Sequence, residues 1–154
     1  MADCFLDTSA LVKRHVNEVG TAWVRSLTRP KTAHTFYIAR ITAVEVYAAI
    51  TRRQQGRYLS PAQAAAILGH FRRHLARRYN VLELTPGLFN KAMLAARKHR
   101  LRAYDAVQLT AALEVDRLNQ DAGFGPVTLV SADRDLNTAA TTSGLAVEDP
   151  NLHP

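Results

Sequence analysis

The chain has 154 residues, 47% of them hydrophobic, with a formal net charge of +7 and a pI near 10.1. That length and composition suit one globular domain over 1–154 with a full core; the single cysteine excludes an internal disulfide, and no apolar run approaches the roughly 18 residues of a membrane span. The basic excess has two explanations of equal weight, plain solubility or an anionic partner, for which nucleic acid is the commonest candidate.

No basic segment followed by a long apolar stretch opens the chain, so a cytoplasmic location is expected. Residues 2–6, apolar from Cys4 to Leu6, read as a buried strand, with the thiol packed rather than reactive. Asp7 closes that strand, and Thr8 and Ser9 then favour a turn and a helix start. Helices are expected over 10–16 and 21–27, and the Phe36-Tyr37-Ile38 run marks a strand over 35–39. A helix over 42–55 stops at Gly56. Ser60, Pro61 and Gln63 open the next one with a cap, a favoured first-turn proline and a capping box, and it should run to about 78. A strand over 80–84, helices over 86–99 and 104–119, a strand over 127–130, a helix over 134–140 and a strand over 145–147 complete the order. Strands alternating with helices predict a mainly parallel, about five-stranded α/β sheet covered on both faces, a three-layer α/β/α arrangement. No internal repeat, low-complexity segment or linker divides it.

In open α/β sheets ligands bind beyond the C-terminal strand ends, which singles out Asp7 and then Asp133, since both follow an apolar strand and precede a helix. As a cap for its helix, Asp133 also has a plain structural explanation. Glu45 lies within an expected apolar stripe of Ile41, Val44, Ala48 and Ala49, where a carboxylate is costly unless paired. Asp105 sits in a first helical turn, where the macrodipole alone would favour it, and beside the inward positions Leu101 and Leu109. Taken together these acids point further. Two carboxylates about 4 Å apart repel by about 4 kcal/mol at an effective dielectric of 20, so a fold that gathers several of them needs a cation or a proton between them. Oxygen-only ligands suit Mg²⁺ or Mn²⁺. An acidic, metal-binding centre in a basic protein has the charge layout of a nuclease.

The segments Phe5-Leu6-Asp7-Thr8-Ser9-Ala10-Leu11-Val12-Lys13, Thr42-Ala43-Val44-Glu45, Leu101-Arg102-Ala103-Tyr104-Asp105-Ala106-Val107-Gln108-Leu109 and Ser131-Ala132-Asp133-Arg134-Asp135-Leu136 resemble, in order and spacing, the successive motifs of PIN-domain ribonucleases, above all the VapC toxins of bacterial type II toxin–antitoxin pairs. The resemblance implies a parallel sheet flanked by helices, Mg²⁺- or Mn²⁺-dependent endoribonuclease activity on RNA, homodimers, and inhibition by a cognate VapB-type antitoxin. By position, Asp7, Glu45, Asp105 and Asp133 match the family's acidic quartet of catalytic metal ligands, Ser9 matches a hydroxyl supporting the first acid, and Asp135 could share or replace the role of Asp133. The competing readings are a catalytically inactive nucleic-acid-binding domain of the same fold, and a small-molecule phosphatase or phosphotransferase.

Outside the acids, His70, Arg72, Arg73, His74, Arg77 and Arg78 on the 60–78 helix, with Arg52, Arg53, Arg57, Arg97 and Arg100, are candidate contacts for RNA phosphates or for an acidic antitoxin segment; a solvated helix face explains them as well. His70 and His74 share one helical face but have no evident third partner for zinc. Trp23 and Tyr47 are expected in the core or a dimer contact, while Tyr58 and Tyr79 could stack on bases.

Overall fold

The computed structural model describes residues 2–153. Its first strand, β1 (Asp3–Leu6), is followed by α1 (Thr8–His15), α2 (Thr21–Leu27), β2 (Thr35–Ala39), α3 (Arg40–Gln55), α4 (Pro61–Arg77), β3 (Tyr79–Leu82), α5 (Pro86–His99), α6 (Ala103–Asp121), β4 (Val127–Val130), α7 (Arg134–Thr142), β5 (Ala146–Glu148) and a 3₁₀ turn over Pro150–Leu152. The strands form one sheet in the order β3-β2-β1-β4-β5, and every pairing is parallel.

Alternation along the strands builds the layers. Cys4, Leu6, Phe36, Ile38 and Val130 pack with Leu11, Val46, Ile50 and Phe71 from α1, α3 and α4. Phe5, Val127 and Leu129 point the other way, into Leu88, Leu109, Ala112 and Leu136 from α5, α6 and α7. Burial pushes the Cys4 thiol up to about 11, so it is a packed apolar group. Among the described residues no helix is long and apolar enough to cross a membrane.

Local chemistry sets most boundaries. The capping box of α4 forms in full, with Ser60 Oγ accepting from Gln63 N at 3.1 Å and Gln63 Oε1 from Ser60 N at 2.8 Å. Thr85 caps α5 ahead of Pro86. Helix α3 starts at Arg40, two residues before the expected start, because β2 runs straight into it without a loop. Its inner stripe also differs from the expected one: Thr42, Val46, Ala49 and Ile50 are buried, whereas Val44 is 63% exposed. At the C-terminal end of the chain, Trp23 stacks on His153 with ring centroids 4.4 Å apart. Gly20, at φ 82°, lies so close to Pro150 that a Cβ would fall 2.1 Å from the Pro150 carbonyl oxygen. These contacts fix the 3₁₀ turn against α2.

Candidate active site

All five strands are parallel, so their C-terminal ends share one edge of the sheet. The chain moves outward from β1 to β2 and β3, then returns to add β4 and β5 on the other side. The change of direction falls between β1 and β4, where loops diverge and leave a crevice. Leu6 is in register with Val130, and Asp7 N still donates to Val130 O at 3.1 Å. Asp7 and the Ser131–Asp133 segment therefore leave the sheet side by side.

A cleft of about 380 Å³ opens there, lined by Asp7, Ser9, Glu45, Asp105 and Asp133 together with Lys13, Glu18, Arg53 and Asn151. The four acids singled out in the sequence thus meet on one surface from four separate elements. Asp7 precedes α1 and caps it. Its Oδ2 accepts from Ser9 N at 3.0 Å, from Ser9 Oγ at 2.6 Å and from Ser131 Oγ at 3.4 Å. Ser9 Oγ in turn accepts from Ala132 N at 2.9 Å, tying the end of β1 to the end of β4. Asp133 caps α7 through Oδ1, which accepts from Leu136 N at 2.9 Å. Its structural role and its place in the cleft coexist, because one carboxylate oxygen suffices for the cap. Asp135 is exposed and lines a different depression, with His99 and Arg100, rather than this cleft.

Glu45 is half-buried on α3 and held from α6: Gln108 Nε2 donates to Glu45 Oε1 at 2.8 Å and to Thr42 Oγ1 at 2.9 Å. Gln108 is fully buried. It was not singled out from the sequence, although an amide within the apolar run of α6 is itself a signal, since a buried polar side chain requires partners. Lys13, Glu18 and Asn151 were likewise missed as cleft residues, and Ser131 as the buried support of Asp7. Replacing Gln108 by Ala should destabilise the protein by about 2–4 kcal/mol, since it opens a cavity and strands a half-buried carboxylate and a buried hydroxyl; urea denaturation checks this, and a change below about 1 kcal/mol would show that Glu45 finds its support elsewhere.

Electrostatics follow from this arrangement. Burial, followed by the nearby Asp133 charge, holds the Asp7 carboxyl above the usual range despite its hydrogen bonds to residues 8 and 9. Burial raises Glu45 as well, with Asp7 and Asp105 adding to the effect. Asp105 is pushed up to about 6 by burial and then by Asp133 and Asp7, with Arg102 opposing. Among the described residues none of the four acids has an ion-pair partner, and the two cations lining the cleft, Lys13 and Arg53, are both engaged by Glu18. As it stands, no group of three His, Cys, Asp or Glu side chains among the described residues is arranged to hold a metal ion. The donor set is nonetheless hard oxygen throughout, its members repel one another, and among the described residues no cation pairs with them directly, Arg102 acting on Asp105 only from a distance. That chemistry fits a divalent ion.

A model of the PIN domain family matches residues 4–141. The chain belongs to the PIN-domain family. Solved structures agree on the fold. VapC20 of Mycobacterium tuberculosis, described as a Sarcin-Ricin loop cleaving toxin, is 15% identical with a TM-score of 0.64, covering 98% of this chain and 99% of its own. PAE2754 from Pyrobaculum aerophilum is 19% identical with a TM-score of 0.63, covering 98% of this chain and 86% of its own. VapBC2 from Rickettsia felis, bound to a promoter DNA fragment, is 14% identical with a TM-score of 0.60, covering 96% and 98%. Comparison with curated proteins gives no significant match.

The basic set of α4 divides. Arg72, Arg73 and Arg77 are exposed, but His70 and His74 turn inward, where the ring of His15 from α1 lies 5.4 Å from that of His70. None of the α4 cations lines the acidic cleft; of the cations singled out in the sequence, only Arg53 does. Tyr79 is buried, so it presents no stacking surface, whereas Tyr58 is 83% exposed.

Proposed function

We propose that this PIN domain is a metal-dependent endoribonuclease, the toxin of a VapBC-type toxin–antitoxin pair, acting in the cytoplasm by hydrolysis of RNA phosphodiester bonds. The observation that carries this reading is the meeting of Asp7, Glu45, Asp105 and Asp133 in one cleft, none of them in an ion pair among the described residues. Likeness of fold to VapC20 and VapBC2, and the family membership, support it. Asp7, Glu45, Asp105 and Asp133 would hold Mg²⁺ or Mn²⁺. When bound, such an ion supplies Lewis-acid stabilisation of a phosphoryl oxygen and an activated water.

The chain's own groups have separate tasks. Ser9 and Ser131 fix the Asp7 carboxylate, so its free edge is preorganised. Gln108 donates to one oxygen of Glu45 and so orients a carboxylate that would position the attacking water. Lys13 and Arg53 bring positive charge to the approach of a phosphate backbone. An antitoxin is the partner implied for control. A homodimer is also part of the proposal, and an apolar depression of about 250 Å³ lined by Phe89, Met93 and Tyr104 of α5 and α6 offers it a surface.

Purified protein should cleave single-stranded RNA with Mn²⁺ or Mg²⁺, stop with chelator and recover when the ion is restored. An inactive binding domain would retain RNA without cutting it under any ion. The charge state of Asp105 supplies an independent check. Its folded pKa of about 6 lies above the unfolded value of about 3.9, so the metal-free fold loses stability as pH rises through 6. Discounted for its half-exposure, the effect is about 1 kcal/mol. Asp105→Asn should therefore melt higher than the parent at pH 7.5 without metal, show no advantage at pH 4, and lose most of the thermal shift that Mn²⁺ gives the parent. An unchanged Mn²⁺ shift would remove Asp105 from the ligand set.

A further inference from the structure

We infer that Lys13 and Arg53 form a phosphate-holding subsite for the RNA backbone beside the acidic centre, and that Glu18 occupies it as an internal competitor until substrate arrives. The inference rests on the ribonuclease reading for the identity of the ligand. Lys13 comes from α1, Arg53 from the last turn of α3 and Glu18 from the α1–α2 loop, and all three line the cleft. The Lys13 side chain is only 8% exposed, yet its ammonium has one well-formed partner, the Val19 carbonyl at 2.9 Å. Its second contact, Glu18 Oε2 at 3.5 Å, is long for a charge-assisted bond. A buried ammonium with three donors is thus under-partnered at the wall of a cleft.

Arg53 holds Glu18 more closely. One arm of its guanidinium pairs with Glu18 Oε1 and the other reaches the Ala49 carbonyl at 3.3 Å. Glu18 is held by its backbone whatever its carboxylate does: its N–H donates to Thr21 Oγ1 at 2.8 Å and its carbonyl accepts from Thr21 N at 3.1 Å. Its side chain spans two cations as a phosphate's two oxygens would. A phosphodiester offers the same bidentate geometry to arginine, and it brings the chain of a substrate with it. Exchanging Glu18 for phosphate leaves the cations paired and returns the carboxylate to water at the mouth.

The test is binding of a fluorescein-labelled 12-nucleotide single-stranded RNA in chelator, where no cleavage competes. Arg53→Gln should weaken the affinity about five- to tenfold and lower the log–log salt slope by about one. Glu18→Gln should tighten it by about three- to tenfold, because the competing charge is removed. Arg72→Gln, on the exposed face of α4, serves as the comparison and should cost less than Arg53→Gln. Unchanged affinity and slope in Arg53→Gln, weaker binding in Glu18→Gln, or an equal loss in Arg72→Gln would each overturn the subsite. These outcomes separate from the parent reading: RNA cleavage by the parent with a neutral Arg53→Gln sinks the subsite alone, and metal-independent RNA binding without cleavage sinks the nuclease alone.

Discussion

Replacing Asp7 by Asn should abolish RNA cleavage, by at least about 10³-fold, while leaving the fold intact. Groups that merely support a metal ligand are worth about 10- to 100-fold, and under the proposed function Asp7, at the meeting of β1 and β4, would be a ligand itself. The substitution is nearly isosteric. Asparagine caps helices about as well as aspartate, so its carbonyl oxygen can still accept from Ser9 N, as Asp7 Oδ2 does at 3.0 Å. It also removes a buried charge whose proton affinity burial has already raised. Thermal stability without metal should therefore stay equal or rise, which distinguishes a chemical loss from unfolding. Gel assays on RNA with chelator-stripped protein resupplied with Mg²⁺, together with circular-dichroism melts, measure both quantities. Cleavage at the parental rate in the variant would displace Asp7 from the centre. On expression in cells, the same variant should relieve growth arrest.

Much of this arrangement was legible along the chain. Asp7 and Asp133 announce themselves because an apolar strand, an acid and a helix start recur in both places. Ser60, Pro61 and Gln63 carry the whole start of α4 in local hydrogen bonds. Helix α3 was harder. Val44 and Glu45 are neighbours in an amphipathic run, and composition does not tell which side of Thr42 and Val46 faces the sheet; the structure turns Val44 out and leaves Glu45 at the edge of the inner stripe. Long-range partners were invisible for a plainer reason. Gln108 meets Glu45 across 63 residues, and Ser131 meets Asp7 across 124. Spacing encodes periodic faces and caps, but not which two distant polar groups will satisfy one another. His15 shows the same limit: the pair His70 and His74 is visible on one helix, while the third ring arrives from the end of α1.

That third ring leads to a large expected effect of pH on stability. His15 lies in the last turn of α1, where the helix dipole would favour a protonated ring by about 0.3–1 kcal/mol. Burial wins instead. It pushes the His15 pKa down to about 3, assisted by His70 and His74 of α4, Arg14 of α1 and Arg25 of α2. Its Nε2 is buried without a partner, so no acceptor is present to welcome a proton. Above pH 6.5 the ring is neutral folded or unfolded, and it contributes nothing. Below 6.5 the unfolded chain binds a proton that the fold refuses, and stability falls by about 1.4 kcal/mol per pH unit until the folded value near 3 is reached. Between pH 7.5 and 4.5 that amounts to about 2–3 kcal/mol from His15. His74, lowered to about 4 by burial and then by Arg14, adds a smaller share because it is more exposed. Asp7, Glu45 and Asp105, all held above the usual carboxylate range by burial, act in the opposite direction over the same interval, so the His15 share is read as the difference between the parent and a variant lacking the ring. Urea denaturation at pH 7.5 and 4.5 reads the difference directly. His15→Leu keeps the volume, removes the orphaned nitrogen and should flatten the pH dependence by about 2–3 kcal/mol with little loss at pH 7.5. A variant as acid-sensitive as the parent would mean that the ring is not the group that refuses the proton.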